Sequence, residues 1–530
     1  METSDKKPAP APAPESRFTV SPMTLAADRW MGRLIRIGGV GVVLAVFGML
    51  AFLIFQVFPL FTGAKVAPVG ALTVPAAAVA FGEDEYGDFP YVVQADGEVI
   101  FQRAKDGSKL LEWSPTLGDR RVTAVRSYPR TGLVFLGLSD GSVQELRVVY
   151  RSTFDAAGKR TVEPSVTALE SIVIGKPGVP CVDVWNAKGP QSRLLLVRQE
   201  SAGKPLLTAV RVIERKGLGG KARVTTSAPF VVAADATSVE QVLLPSTAES
   251  LIVVGKSGEV RTYADDGTNF SFLQAFVPFK ESREQAVASA GLIFGNVSVV
   301  FVSRAGEQQV WSMYPQLQPD GKSLRRWGKI HDGVLLAGAG EGVYAAEGNK
   351  CYLAVAGGKL QIRNMTTGSL RWEGDVPAGK ILQVAFAGNY DRFTALSADG
   401  KLHRWSIDDH HPESSWGAFF GKIWYEGATG PDYTWQSSAG SDEFEAKYSL
   451  VPLLYGTAKG TIFALLFALP IALTAAIYVS QFLRPEYRNV VKPVMEIMAS
   501  LPSVVLGFLA GLWLAPLVDP RLISIFCAVG

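Results

Sequence analysis

The stretch ADGEVIFQR at residues 95–103 decides the fold, because its pattern recurs along the chain: a small residue, Asp or Gly, a glycine, one residue, and then an apolar residue that opens a strand. The other copies are SDGSVQELRV (139–148), SGEVRTY (257–263), GGKLQIRN (357–364) and ADGKLHRW (398–405). A glycine in such a turn supplies the positive φ that a tight hairpin needs. The pattern predicts a series of hairpins joined into many short β-strands.

The spacing of the turn glycines indicates a β-propeller. Gly97 and Gly141, like Gly358 and Gly400, lie roughly 42 to 44 residues apart. The wider gaps divide into units of about 50 to 60 residues if SAGKPLLTAV (201–210) and RAGEQQVWSM (304–313) are degenerate copies. Four-stranded propeller blades have this period, so we expect about seven blades within residues 66–408. Six or eight blades, a pair of β-sandwiches and a β-helix are the alternatives.

An apolar region precedes the β-rich region. Residues 1–24 start with a Pro/Ala tract that cannot bury a core, which predicts a disordered tail. Residues 25–36 place Arg29, Arg33 and Arg36 on one helical face, as in an amphipathic helix lying at a membrane surface. Residues 37–61 carry no charge and are long enough for a first transmembrane helix. A cleaved signal peptide is the alternative, but the run is too long and the following FPLFTG too bulky.

The flanking charges predict an orientation. Three arginines precede the first apolar run, whereas only Lys65 follows it closely. Basic residues favour the cytoplasmic side, so we expect a cytoplasmic N-terminus and a β-rich domain that lies outside the membrane.

A second apolar region occupies residues 449–530 and follows a predicted linker at 409–448. Its uncharged runs predict transmembrane helices at about 453–480 and 500–518, and an incomplete helix at 522–530. Lys459 precedes most of the first run, and Arg484, Arg488 and Lys492 follow it, which agrees with the orientation of the first span.

The second apolar region resembles the start of the membrane domain of phosphate ABC importer permeases of the PstC-like kind. Gly456 and Thr457 open a helix, Pro470 interrupts it, AIY (476–478) closes it, and Glu496 precedes LPSVV at 501–505. FFGKIW at 419–424 resembles the family's segment before that helix. The resemblance implies an all-β propeller inserted between the transmembrane α-helices of a type I ABC importer permease. It also implies a multi-pass protein of the bacterial inner membrane, with the propeller in the periplasm. Such a long form differs from the family's usual short loop.

The resemblance also implies a function and partners. The chain would be a membrane-spanning permease subunit of an ATP-driven importer of inorganic phosphate, in contact with membrane lipid. Its partners would be a second permease subunit, cytoplasmic ATPase subunits that hydrolyse ATP, and a periplasmic phosphate-binding protein. We also expect the sequence to be truncated at its C-terminus, because it stops before the family's cytoplasmic loop rich in Glu-Ala-Ala.

Transport sets its own demands on residue type. An anion that crosses the hydrocarbon layer must exchange its water for hydrogen-bond donors, so a permease needs broken helices, small residues and hydroxyls along its path. The candidates for translocation-path or helix-break positions are Thr457, Pro470, Ser500, Pro502 and Ser503. Small residues at such positions are also typical of helix packing. Glu496 would repel phosphate, so we expect it to pair with Lys492 or to contact a partner.

Other function classes find little support. A net charge of +3 over 530 residues does not indicate the basic surface that a nucleic-acid-binding protein needs. GLGGKA (217–222) lacks the first glycine and the Ser or Thr of a phosphate-binding loop, so neither a catalytic nor a cofactor site is predicted. His331, His403, His410 and His411 lack metal-ligand spacing, and no metal is expected.

Three alternatives stay open at this stage. The chain could be a membrane-anchored periplasmic propeller that acts as an interaction scaffold or sensor. The substrate could be another oxyanion, such as sulfate or molybdate. Cys181 and Cys351 could form a disulfide or remain two buried thiols.

Overall fold

The computed structural model describes residues 21–154, 160–189, 192–216, 222–317, 321–333, 335–336, 338–377, 379–440, 444–501 and 503–521. Contacts divide the chain into two compact units, Met1–Ser449 and Leu450–Gly530. Three predicted features lie outside the described residues: positions 1–20 of the tail, Pro502, and the incomplete helix at 522–530.

Thirty strands of the described chain form seven antiparallel sheets, the blades of a β-propeller, which confirms the prediction of about seven blades. Blade 1 contains β2 (Ala78–Gly82), β3 (Tyr91–Gln94), β4 (Val99–Gln102) and β5 (Lys109–Trp113). Blade 2 contains β6 (Val122–Tyr128), β7 (Leu133–Leu138), β8 (Ser142–Phe154), β9 (Arg160–Ala168) and β10 (Ile172–Val173). Blade 3 contains β11 (Cys181–Lys188), β12 (Arg193–Ser201), β13 (Lys204–Lys216), β14 (Ala222–Thr226) and β15 (Phe230–Val232).

The remaining blades have four strands each. Blade 4 contains β16 (Gln241–Leu243), β17 (Ser250–Val254), β18 (Val260–Asp265) and β19 (Phe270–Phe276). Blade 5 contains β20 (Val287–Leu292), β21 (Ser298–Ser303), β22 (Gln308–Leu317) and β23 (Ser323–Asp332). Blade 6 contains β24 (Gly340–Ala345), β25 (Cys351–Ala356), β26 (Lys359–Asn364) and β27 (Leu370–Asp375). Blade 7 contains β28 (Ile381–Phe386), β29 (Arg392–Ser397), β30 (Lys401–Asp408) and β1 (Lys65–Thr73).

The ring is closed by strands from its two ends. In blade 7 the outermost strand is β1, which pairs with β30 from Lys65 opposite Asp408 to Thr73 opposite Lys401. Pro68 and Gly70 flank an irregularity in β1, which an edge strand tolerates because its outer side needs no ladder partner. The first strand of the domain therefore locks onto the last blade.

The turn glycines of the sequence pattern all lie between the second and third strands of a blade. The seven blades place Gly97, Gly141, Gly203, Gly258, Gly306, Gly358 and Gly400 there, with φ from +74° to +89°. Since L-residues rarely adopt this conformation, the glycines account for the repeat. We call this side of the ring the glycine-turn face.

The turns between the first and second strands of the blades meet on the opposite side. Arg130 of the blade 2 turn donates to the Glu347 carbonyl of the blade 6 turn at 3.1 Å, and Asn296 of blade 5 donates to Ser246 of blade 4 at 2.9 Å. Lys350, the last residue of the blade 6 turn, donates to the Phe294 carbonyl of the blade 5 turn. These contacts place the turns on one face of the ring.

The propeller is connected to the rest of the chain on that same side. In blade 7, β29 begins at Arg392, just after the turn between the first two strands, and Arg392 pairs with Ser406 of β30. From Ser406, β30 continues for two more residues and ends at Asp408. Asp408 is also the partner of Lys65, where β1 begins. The chain thus enters and leaves the ring on this side, which we call the stem face.

Apolar clusters hold neighbouring blades together. Val300 and Val302 of blade 5 pack with Tyr352 and Ala354 of blade 6, while Phe393 stacks on Trp405 within blade 7 at 4.6 Å between ring centroids. Cys181 and Cys351 are buried in blades 3 and 6 as free thiols, so the disulfide alternative is not realised.

Helices lie outside the ring. α1 (Pro22–Val57) runs into a 3₁₀ turn (Phe58–Phe61), and after the propeller come α2 (Trp416–Phe420) and the short strands β31 (Trp435–Gln436) and β32 (Lys447–Tyr448). The second unit contains α3 (Val451–Ile477) with a π turn (Tyr478–Phe482), and then α4 (Pro485–Ser500). It continues with α5 (Ser503–Leu509), a π turn (Ala510–Leu514), α6 (Ala515–Val518) and a 3₁₀ turn (Asp519–Arg521).

Three helical stretches of the described chain are long and apolar enough to cross a membrane: Pro22–Phe61, Val451–Phe482 and Ser503–Arg521. The basic stretch at 25–36 and the apolar stretch at 37–61 share one continuous helix instead of two. The amphipathic helix α4 was not predicted from the sequence. A search for long runs without charge finds membrane spans, but it misses a helix that carries charged residues on one face.

Candidate transport helices and the propeller stem

The helix α3 carries two of the candidate transport residues. Pro470 lies inside α3, where its ring removes one backbone donor, and the helix continues past it to Ile477. Thr474 donates to the Pro470 carbonyl at 2.9 Å, one turn earlier. Thr457 likewise donates to the Leu453 carbonyl at 2.8 Å. The threonine hydroxyls of α3 therefore bond to their own helix in this structure.

A helix break separates α4 from α5. Ser500 ends α4, Leu501 has an extended backbone with ψ of 135°, and Ser503 begins α5. A residue before proline is driven out of the helical region, so the Leu-Pro pair at 501–502 accounts for the break. Among the described residues, the Ser503 hydroxyl has no hydrogen-bond partner.

Glu496 lies on α4, exposed within its unit. In the described part of the chain it forms no ion pair with Lys492, so the expected i, i+4 pairing is not made. A contact between Glu496 and a partner stays a prediction.

A buried arginine joins the chain's entry into the propeller to its exit. The Arg371 guanidinium contacts Asp409 at 2.6 Å and 3.1 Å, and also donates to the carbonyls of Ser414 and Thr62, each at 3.0 Å. The side chains of Arg371 and Asp409 are 6% and 2% exposed. Burial opposes the charge of Arg371, but the pKa of its guanidinium still lies above its usual value because Asp409 outweighs burial. We call these residues the stem clamp.

Two further contacts tighten the stem clamp. The amide of Ala64 donates to the backbone carbonyl of Arg371 at 2.9 Å, and the Ser414 hydroxyl donates to the Leu60 carbonyl at 2.7 Å. Phe61 packs on Trp416 and Phe419 with ring centroids 4.4 Å and 5.2 Å apart. The end of α1 is therefore fixed to the segment that leaves the propeller.

The described residues of the predicted linker at 409–448, namely 409–440 and 444–448, are folded against the stem face. Lys350 of blade 6 forms a buried ion pair with Glu426, and a cavity of about 200 Å³ lies beside it, lined in part by Phe294, Glu413 and Glu445. Burial raises the pKa of Glu445 to about 7; Lys350 opposes this effect, while Glu426 and Glu413 add to it. The segment is a docked extension of the propeller and differs from a plain linker.

Sequence reasoning missed the stem residues. Arg371 and Asp409 are 38 residues apart, and Lys350 and Glu426 are 76 apart, without any local motif. The only local hint was Asp409, which directly follows the last strand of the propeller. Because Asp is common in turns, this position does not indicate a buried ion pair.

The histidines and cysteines form no reactive centre in the described residues. His331 contacts the carbonyl of Met365 at 2.8 Å, and no described group of three or more His, Cys, Asp and Glu residues could hold a metal. Burial raises the pKa of Cys181 to about 11 and that of Cys351 to about 12, so both thiols stay protonated near neutral pH.

Comparison with known sequences finds a partial likeness to a bacterial transport protein. The chain is 31% identical over 74 residues to "Probable ABC transporter permease protein YqgH" of Bacillus subtilis (strain 168). The match covers 14% of this chain, and the chain spans about a quarter (24%) of that relative's length. No family model matches the chain. The likeness supports a relationship to ABC transporter permeases and does not extend to a substrate.

Two solved structures match about two thirds of the chain at low similarity. The β-propeller domain of Cps50 (Swd1) from Myceliophteria thermophila is 10% identical with a TM-score of 0.43, and the match covers 65% of this chain and 100% of that one. A chain of a mitotic checkpoint complex is 12% identical with a TM-score of 0.41, over 66% and 92% of the two chains. The blade count rests on the seven sheets themselves.

Proposed function

We propose that the chain is a membrane-spanning permease subunit of an ATP-driven importer of inorganic phosphate. The observation that carries the proposal is the partial likeness to an ABC transporter permease. Three helices with the length and composition of membrane spans support it. The motif with Glu496 ahead of LPSVV gives the phosphate assignment its support, through its resemblance to PstC-like permeases.

The proposal assigns the work of transport to several chains. ATP is hydrolysed in cytoplasmic ATPase subunits, and this chain, which is not itself an enzyme, contributes part of the path beside a second permease subunit. A periplasmic phosphate-binding protein delivers the anion. The arginines before the first span favour a cytoplasmic N-terminus and a propeller in the periplasm.

The apolar helices α3 and α5 of the second unit offer an anion little fixed charge. Thr457 and Thr474 already donate to their own helix, whereas the helix break before Ser503 exposes backbone and a hydroxyl. Polar groups at a broken helix can replace the water around an anion. We assign the helix break at Leu501 to the translocation path, and Pro470 to the bend of a neighbouring helix.

Uptake of radiolabelled phosphate tests the function. A strain that lacks the full-length gene should take up less phosphate at limiting concentration, and the full-length gene should restore uptake. Parallel assays with sulfate and molybdate separate the oxyanions. Unchanged uptake of all three anions would contradict the proposal and favour a scaffold or sensor anchored in the membrane.

A further inference from the structure

The segment that leaves the propeller carries a short helix with two different sides. In α2, Ala418 and Phe419 are buried, whereas Trp416 is 65% exposed and Phe420 is 43% exposed. The two exposed rings are one helical turn apart and stack with their centroids at 5.9 Å. The stretch 414–421 contains no charged residue. The exposed side of α2 is therefore an uncharged surface, which we call the aromatic surface.

The aromatic surface is fixed to the end of the first candidate span. Phe61, the last residue of the 3₁₀ turn that follows α1, packs on Trp416 with ring centroids 4.4 Å apart. The Ser414 hydroxyl donates to the Leu60 carbonyl of the same turn at 2.7 Å. In this turn Phe58 is also exposed. The aromatic surface therefore lies beside the point at which the chain emerges from a membrane that α1 crosses.

The length of α1 sets the depth of this point. Arg36 is the last charged residue before the apolar run, so contact with hydrocarbon begins at about Ile37. At about 1.5 Å per residue the helix rises about 30 Å from there to Val57, which is the thickness of the hydrocarbon core. The 3₁₀ turn then rises about 8 Å, into a headgroup layer of about 5–8 Å. Phe61, and Trp416 beside it, therefore lie at the level of the headgroups.

We propose that the aromatic surface of α2 inserts into the membrane interface beside the end of α1. Aromatic side chains are enriched at this boundary between hydrocarbon and headgroups. A bilayer fits this surface because Trp416 contacts the end of the span itself and because no charged residue of α2 must leave water.

Insertion of α2 has a consequence for the propeller. Arg371 of blade 6 donates to the Ser414 carbonyl at 3.0 Å, directly before α2. The stem clamp therefore connects the inserted surface to the ring and holds the propeller close to the bilayer. The inference rests on the proposed function in one respect, the membrane span at α1, and is independent of the transported anion.

Depth-dependent fluorescence quenching tests this contact. The full-length protein with Cys527→Ser and Gly417→Cys is labelled with a maleimide fluorophore, since Cys181 and Cys351 are buried. Gly417 is an exposed residue of α2, and a Cβ at this position would meet only the Ser415 hydroxyl, at 3.6 Å. Phosphatidylcholine vesicles carry a nitroxide either on the lipid headgroup or near the end of an acyl chain.

Two control positions and one control substitution accompany this variant. Ala305→Cys places the label on the glycine-turn face, and the strand β21 separates it from the stem face by about 17 Å. Leu50→Cys places the label within α1. Phe420→Ser removes one ring of the aromatic surface, and its matched control is Phe272→Ser, an exposed Phe of blade 4.

The headgroup nitroxide should quench Gly417→Cys roughly threefold more than Ala305→Cys, and more than the acyl-chain nitroxide does. Adding Phe420→Ser should reduce this quenching about twofold, whereas Phe272→Ser should leave it unchanged. If Phe420→Ser has no more effect than Phe272→Ser, the aromatic surface does not make the contact.

Three other results would overturn the inference. Weak, equal quenching at Gly417→Cys and Ala305→Cys, with Leu50→Cys quenched by the acyl-chain nitroxide, removes the contact and leaves the span. Protection of Gly417→Cys from both lipid nitroxides and from iodide in the water assigns the surface to a protein partner. Absence of quenching at Leu50→Cys removes the span, and the proposed function fails together with the inference.

Discussion

Replacing Arg371 by Met should destabilise the first unit strongly. Arg371→Met leaves the Asp409 carboxylate, 2% exposed, without its cation, and it removes a donor from the carbonyls of Thr62 and Ser414. Breaking a buried ion pair by removing one partner costs about 3–5 kcal/mol. For a unit of roughly 400 residues this is a fall in Tm of about 5 °C.

The assay is thermal unfolding of the full-length protein in detergent at one scan rate, together with limited proteolysis. Cleavage between the propeller and α3 should accelerate, because the stem clamp fixes the segment that follows β30. Combining Arg371→Met with Asp409→Asn should recover part of the loss, since no buried charge is then left unpaired.

Lys359→Met provides the matched control. Lys359 forms an ion pair with Asp375 in blade 6, as Arg371 does with Asp409, but the side chains are 41% and 83% exposed. Solvent screens such exposed pairs almost completely, so Tm should change by about 1 °C at most. If Arg371→Met lowers Tm no more than Lys359→Met, the stem clamp is not a stabilising element.

Three further changes test the account. Glu445 has a folded-state pKa of about 7, above its usual 4.5, so wild-type stability should fall as pH rises from about 4.5 through 7. Glu445→Gln should remove about 2 kcal/mol of this fall in denaturant titrations at pH 5 and pH 8; equal pH profiles would contradict the burial of its carboxyl. Gly258→Ala should unfold blade 4 or lower Tm sharply, because its Cβ would overlap the backbone carbonyl oxygen of Gln285. Gly107→Ala meets open space and should cost only the strain of its positive φ, about 1 kcal/mol. Cys181 and Cys351 should resist maleimide in the folded protein and react after denaturation; rapid labelling of either would refute its burial.

Local backbone demands made the propeller predictable. A turn that needs a positive φ selects glycine, and seven such turns recur at the blade period. Gly203 and Gly306 could therefore be counted among the turn glycines, although the residues around them match the repeat poorly. The apolar helices were equally visible, because a span needs a long run without charge.

Contacts between distant residues could not be predicted. The strand β1 contains Pro68 and Gly70, which weaken its local signal, and its role depends on pairing with β30 more than 300 residues later. The stem clamp and the docking of residues 409–448 depend on tertiary burial, which no periodicity in one chain encodes. The extended backbone of Leu501 could be predicted, because a proline restricts the residue before it, whereas the hydrogen-bond partner of the Thr457 hydroxyl could not.

Co-purification from native membranes tests the central claim most directly, namely that this chain is a permease subunit of an ATP-driven importer. The full-length protein, tagged at its N-terminus and solubilised in mild detergent, is identified with its partners by mass spectrometry. The account predicts that an ATPase subunit and a second permease subunit co-purify in constant proportion. Recovery of other envelope proteins, with neither of these subunits, would contradict it.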